Sequence, residues 1–182
     1  MVDLPVAVFR SRIEDNATKE PTDQQKKIAT NAYRLLQNWR TPPGSQKDGT
    51  YNGDVLTNWL KRVKVACKES GHLEMALTMV GHVLIHTPPD PDGLWIHHST
   101  ATALNDRDAK YMRDGFRTAL FNSRGVHGFT SGREERALAQ KYRGQADEVE
   151  SHYHRLANSL RELAVSYEYD AEREESRKPF DV

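Results

Sequence analysis

Asp114-Gly-Phe-Arg-Thr-Ala-Leu-Phe-Asn-Ser-Arg-Gly-Val-His-Gly128 is the most informative stretch of this chain for its architecture. It reads as the last turns of a helix, a tight stop and a loop leading into the next helix. Gly125 suits the position just past a helix end, where the backbone turns left-handed and a Cβ would clash. With Gly125 there, Phe121 and Val126 meet across the last turn, as in a Schellman motif. Arg124 then lies at the helix end as an exposed cation facing the negative pole of the dipole. The Asn122 amide can bond local backbone. Upstream, Ala109, Met112, Phe116, Ala119 and Leu120 recur at helical spacing and make one apolar face. Lys110, Arg113, Arg117 and Arg124 share the neighbouring flank. On this reading Gly125→Ala costs about 1–2 kcal/mol through backbone strain, and Arg124→Ala costs less.

The same pattern of helix and stop recurs on both sides. Asp23 can cap a helix to about Arg40, with Ile28, Ala32, Leu35, Leu36 and Trp39 on one side and Thr41-Pro-Pro-Gly44 stopping it. Ser45 to Gly53 is a polar loop with turn dipeptides Asp48-Gly49 and Asn52-Gly53, pinned by Tyr51. Asp54 caps the next helix, whose inward residues are Val55, Leu56, Trp59, Leu60, Val63 and Cys67, and Gly71 ends it. Met75, Met79, Val80, Val83 and Leu84 make the core of a third helix. The short joint predicts that these two are antiparallel neighbours. Pro88-Pro-Asp-Pro-Asp-Gly93 is a stiff connector, after which Leu94, Trp95 and Ile96 re-enter the body. His97 to Leu104 reads as a short helix, and Asn105 or Asp106 as the cap of the central one.

Downstream, Ser131-x-x-Glu134 is a capping box opening a helix to about Glu148, with Ala137, Leu138, Tyr142 and Ala146 inward. A last helix runs from about Ser151 to Ser176 on Tyr153, Leu156, Leu160, Leu163, Ala164 and Tyr167. The sequence therefore predicts an all-α single domain of about six or seven helices, antiparallel and bundle-like, over residues 23–178. An N-terminal arm occupies 1–22 and a tail 179–182. Residues 137–146 are similar to one tetratricopeptide-type helix, but no fixed period supports a solenoid.

Composition narrows the function. A chain of 182 residues can bury one core without disulfide or metal support. Hydrophobic residues are 37% and charged residues 29%, which favours helices with wide solvent faces over a buried sheet. Lys+Arg and Asp+Glu are both 26, and the zero net charge argues against a dedicated nonspecific nucleic-acid binder. Cys67 is the single cysteine, so no disulfide can form within the chain, as suits a reducing cytosol. The N-terminus lacks a signal-peptide core. No run approaches the roughly 20 apolar residues that span a bilayer, so a cytoplasmic location without membrane contact is expected.

No catalytic residue emerges. His82 and His86 have the i, i+4 spacing of two zinc ligands, but no Glu follows His82, and a third ligand would have to come from His97, His98 or an acid elsewhere. No metal or cofactor is therefore expected. His97-His98 and His152-x-His154 are dense, yet adjacent residues on a helix diverge. Cys67 reads as a buried structural thiol rather than a nucleophile. The surface candidate is Lys110, Arg113, Arg117, Asn122 and Arg124, able to hold phosphates or an acidic partner segment. The competing and favoured reading has these arginines lying over the core edge, paired with acids of the last two helices. Trp39, Trp59 and Trp95 read as core cement, any of which could anchor an interface.

Three further motifs carry a resemblance: Gly115-Phe-Arg-Thr-Ala-Leu-Phe-Asn-Ser-Arg-Gly-Val126, Glu135-Arg-Ala-Leu-Ala139 with Tyr142, and Leu160-Arg-Glu-Leu-Ala164 with Tyr167. With them, Asp90 to Arg173 resembles a bacterial helical module found as a tail of larger proteins. The resemblance implies an interaction or assembly role and brings no catalytic residues. The expected function is thus a non-enzymatic protein-interaction or assembly module of a bacterial cytoplasmic system, with a protein partner and self-association open. The alternative is a helical nucleic-acid-associated protein using the basic stripe.

Overall fold

Helix-forming periodicity runs almost unbroken from residue 53 onward, and the computed structural model follows it. The structure describes residues 23–24, 27, 38–69, 71–125 and 130–176. Among the described residues, six helices can be bounded: α1 (Gly53–Glu69), α2 (Leu73–Leu84), α3 (His98–Asn105), α4 (Lys110–Asn122), α5 (Arg133–Val149) and α6 (His154–Glu175). Among the described residues the extended pairing is a lone bridge between Ser45 and Tyr51, so the chain is an all-α single domain. No described helix is long and apolar enough to cross a membrane. The arm at 1–22, most of the helix predicted from Asp23 to Arg40, the Val126 contact and the tail at 179–182 lie outside the described residues.

The helix stops are set locally, as predicted. Gly71 adopts φ +72°, and the His72 and Gly71 amides donate to the Cys67 (2.8 Å) and Lys68 (3.2 Å) carbonyls, the two bonds of a Schellman stop. Gly125 adopts φ +71° and donates to the Asn122 carbonyl at 3.2 Å.

The helix starts differ. Asn52, not Asp54, caps α1, because its Oδ1 accepts from the Asp54 (3.0 Å) and Val55 (3.3 Å) amides. The predicted capping box at Ser131 does not form. Ser131 and Gly132 are both left-handed, α5 begins at Arg133, and the Glu174 carboxylate of α6 accepts from the Gly132 amide at 2.5 Å. Asn105 caps α6 rather than α4, its Oδ1 accepting the Arg155 amide at 2.8 Å. At α6 the cap thus comes from another helix, whereas at α5 the Thr130 hydroxyl accepts from the Glu134 amide at 3.4 Å and Glu174 holds the turn before it.

The core unites Leu56 and Leu60 of α1, Leu77, Val80 and Leu84 of α2, Met112 and Phe116 of α4, Tyr142 of α5, and Leu156, Leu160, Leu163 and Tyr167 of α6. Burying each such side chain contributes about 1.5–3 kcal/mol. Val55 (43% exposed), Met75 (51%) and Ala137, predicted inward, face solvent. Their places go to Ala76 and Leu77 in α2 and to Ala139 and Val149 in α5. The predicted α1–α2 pairing is confined to a small cluster by the joint, Val63, Cys67 and Ala76. α2 packs chiefly on α4, where Gly81 meets the backbone of Met112, Gly115 and Phe116, and Gly115 meets that of Thr78. α5 and α6 form an antiparallel hairpin, with Arg136–Glu175 near one end and Arg143–Glu168 further along.

Candidate functional site

The predicted surface residues do not form one stripe. Lys110 pairs with Asp114 at 3.0 Å, and Arg117 bridges Asp114 (3.4 Å) to Glu162 of α6. Arg113 turns the other way and donates to the Leu104 and Asp106 carbonyls, both at 2.7 Å. It thereby places a cation on the negative pole of α3. Asn122 is exposed, and its backbone carbonyl serves the Gly125 stop.

Arg124 departs most from expectation. Its side chain is 12% exposed and contacts Glu135 at 2.5 Å and Glu134 at 3.3 Å. Glu135 is itself buried, with a side chain 3% exposed. Burial pushes the Glu135 carboxyl upward, but backbone hydrogen bonding, Arg124 and Thr130 outweigh it and hold the group below its ordinary range. An exposed helix-end cation is thus replaced by a buried pair joining the end of α4 to the start of α5. The favoured reading of paired arginines holds for Arg117 and Arg124 toward α5 and α6.

A second constellation gathers where α1 and α3 begin. The loop before α1 and the first turn of α3 bound an open polar cleft of about 460 Å³, lined by Gln46, Asp48, Thr50, Asn52, Asp54 and His98 among others. Asp48 Oδ1 fixes the loop by accepting from the Thr50 amide (3.0 Å) and hydroxyl (2.7 Å). Tyr51 pins it as predicted, its ring edge-on to His97 with centroids 4.8 Å apart. Gly53 lets α1 start against α3, since a Cβ there would lie 2.7 Å from Ser99.

Asp90 is the centre of this region. Its carboxylate is 6% exposed, and Oδ2 accepts from the His98 amide (2.7 Å) and lies 2.8 Å from His98 Nδ1. The His98 amide bond comes first among the causes that hold Asp90 down at about 2. Burial opposes it, while the Asp92 amide and the His98 ring add to it. His97 is buried and caps α3, with Nδ1 accepting from the Ser99 amide at 3.2 Å. Burial, then the His98 neighbour, push the His97 imidazole down, against the pull of Asp90. The rings of His97 and His98 lie 4.4 Å apart. Their predicted divergence fails because His97 is extended (φ −61°, ψ 135°) and precedes the helix.

Elsewhere, Cys67 is 1% exposed, and burial pushes its thiol up, as a structural cysteine requires. His82 and His86 are each pushed down by burial first and then by the charge of Arg40. Among the described residues the convergent histidine–carboxylate group is Asp90, His97 and His98. In the sequence Asp90 is simply part of a connector, and no spacing marks it as a partner of the helix-opening His97-His98 pair. Compared with known proteins, the chain matches no family model, and no curated protein or solved structure is significantly similar to it.

Proposed function

We propose that this chain is a non-enzymatic interaction module whose partner is a protein presenting an apolar helical face, working in a bacterial cytoplasm. The observation that carries this reading is on α6, the longest of the described helices. Val165 (55% exposed) and Tyr169 (65%) stand four residues apart on its outer side, away from the buried ridge Leu156-Leu160-Leu163-Tyr167. Several charges around them are already matched: Glu162 to Arg117, Glu168 to Arg143, and Arg173 to Asp170. A patch of large apolar side chains amid internally neutralised charge suits an apolar partner better than a polyanion. The same pairing weakens the nucleic-acid alternative, since Arg117 and Arg124 are engaged by carboxylates and Arg113 by carbonyls. The test is a photo-crosslinking residue placed at Val165 in the native host, with Gln140 on the exposed side of α5 as control. One discrete protein adduct is expected from position 165, lost on Tyr169→Glu. Equal labelling from both positions would reject the surface.

A further inference from the structure

We propose that Asp90, His97 and His98 bind one divalent transition-metal ion, zinc being the best match, at the edge of the cleft between the 46–54 loop and α3. One donor atom from each residue lies within 4.8 Å of the other two. The Asp90 Oδ2 to His98 Nδ1 distance of 2.8 Å has to open by only about 0.5 Å for the two atoms to serve as tetrahedral donors, each about 2.0–2.1 Å from one ion. The ion takes the place of the proton between them, and that proton goes to solvent. The His97 ring, its centroid 4.4 Å from that of His98 and its plane tilted by 30°, supplies the third donor by rotating inward. Ser99 allows this, because its hydroxyl lies 2.8 Å from His97 Nδ1 and its amide 3.2 Å. In this tautomer Nδ1–H donates to the Ser99 hydroxyl and gives up the bond it accepts from the Ser99 amide, Nε2 is free to ligate, and Ser99 becomes the outer partner that metal-bound histidines commonly have. The fourth position opens toward the cleft and suits water.

Capping of α3 alone does not account for the arrangement. It uses the Asp90 carboxylate for the His98 amide and His97 Nδ1 for the Ser99 amide. It gives no reason for an imidazole 64% exposed to be held on that same carboxylate oxygen. The positive pole of α3 opposes a cation there. Asp90 neutralises it directly, and Asp48 and Asp54 add negative charge along the cleft. The frame is rigid: the Asp90 amide donates to the Leu94 carbonyl at 2.8 Å and the His97 amide to that of Pro88 at 3.1 Å. This site is separate from the α6 surface and stands or falls independently of it.

The full chain, stripped with chelator, should be titrated calorimetrically with Zn²⁺ and followed in the visible range with Co²⁺. One ion per chain, micromolar or tighter, with a four-coordinate cobalt spectrum, is the expected result. His98→Ala should weaken binding at least about tenfold with the circular dichroism spectrum unchanged, since its side chain is largely exposed. Asp90→Asn should do the same where it folds. His86→Ala should bind as the parent does. Absence of saturable binding, an affinity indifferent to His98→Ala, or a loss on His86→Ala would overturn the site.

Discussion

Glu135 and Arg124 show how much one side chain's burial changes the reading of a local motif. From sequence, Arg124 is a surface cation whose loss costs less than that of Gly125. In the structure it faces a carboxylate 3% exposed, whereas a Cβ added at Gly125 would meet open space, leaving only the strain of φ +71°. Arg124→Ala strands a buried charge, at about 3–5 kcal/mol. Gly125→Ala costs about 1–2 kcal/mol. Thermal melts should therefore rank Arg124→Ala as the more damaging, and the opposite order would mean the pair is solvated. The pair also sets an acid limb. Glu135 titrates lower in the folded chain than its ordinary 4.5, so the unfolded chain takes up its proton first as pH falls. Its contribution is complete above that ordinary value and is lost as pH falls through the folded one. Melting temperature should decline below about pH 4.5, and Glu135→Gln should flatten the decline while lowering stability at neutral pH.

At the level of elements, the α2–α4 crossing depends on two glycines. A Cβ on Gly115 would overlap the Thr78 carbonyl oxygen, and one on Gly81 would overlap that of Met112. Backbone cannot yield as a flexible side chain does, so the helices must separate. Gly115→Ala should cost about 1–3 kcal/mol or more by overpacking. Gly144→Ala, with nothing near its added Cβ on the exposed side of α5, should gain roughly 0.5–1 kcal/mol from helix propensity. Paired denaturant melts check the contrast; equal effects would remove the close crossing. These elements also mark what sequence could reveal. Helix positions and the stops at Gly71 and Gly125 are legible because period and positive φ are local properties. The start of α6 is not, because Asn105 comes from another helix, and the turn into α5 is held by Glu174 of α6. Asp90 escapes for the same reason: its partners are set by a chain reversal from Pro88 to His97, and spacing along one helix says nothing about that.

Taken as one body, the protein has 26 basic and 26 acidic residues, and its structure matches many of them across helix boundaries. Arg143–Glu168, Arg136–Glu175 and Arg161 with Asp147 and Glu150 lace α5 to α6, while Lys64–Asp106 ties α1 to the end of α3. Exposed pairs of this kind add little stability individually. Their larger consequence is for binding, because a cation already facing a carboxylate has no net charge to offer a phosphate. The exposed pair on α6, Val165 and Tyr169, is left as the more distinctive surface. Spent charge beside unspent apolar area is what separates a protein partner from a polyanion here. The decisive titration adds the protein to labelled duplex and single-stranded nucleic acid at about 50 mM and about 200 mM salt. No saturable micromolar binding is expected at either salt. Micromolar binding that falls steeply with salt, and that Arg113→Glu with Arg117→Glu abolishes in a folded protein, would show that these arginines still serve phosphates and that their charge is not spent.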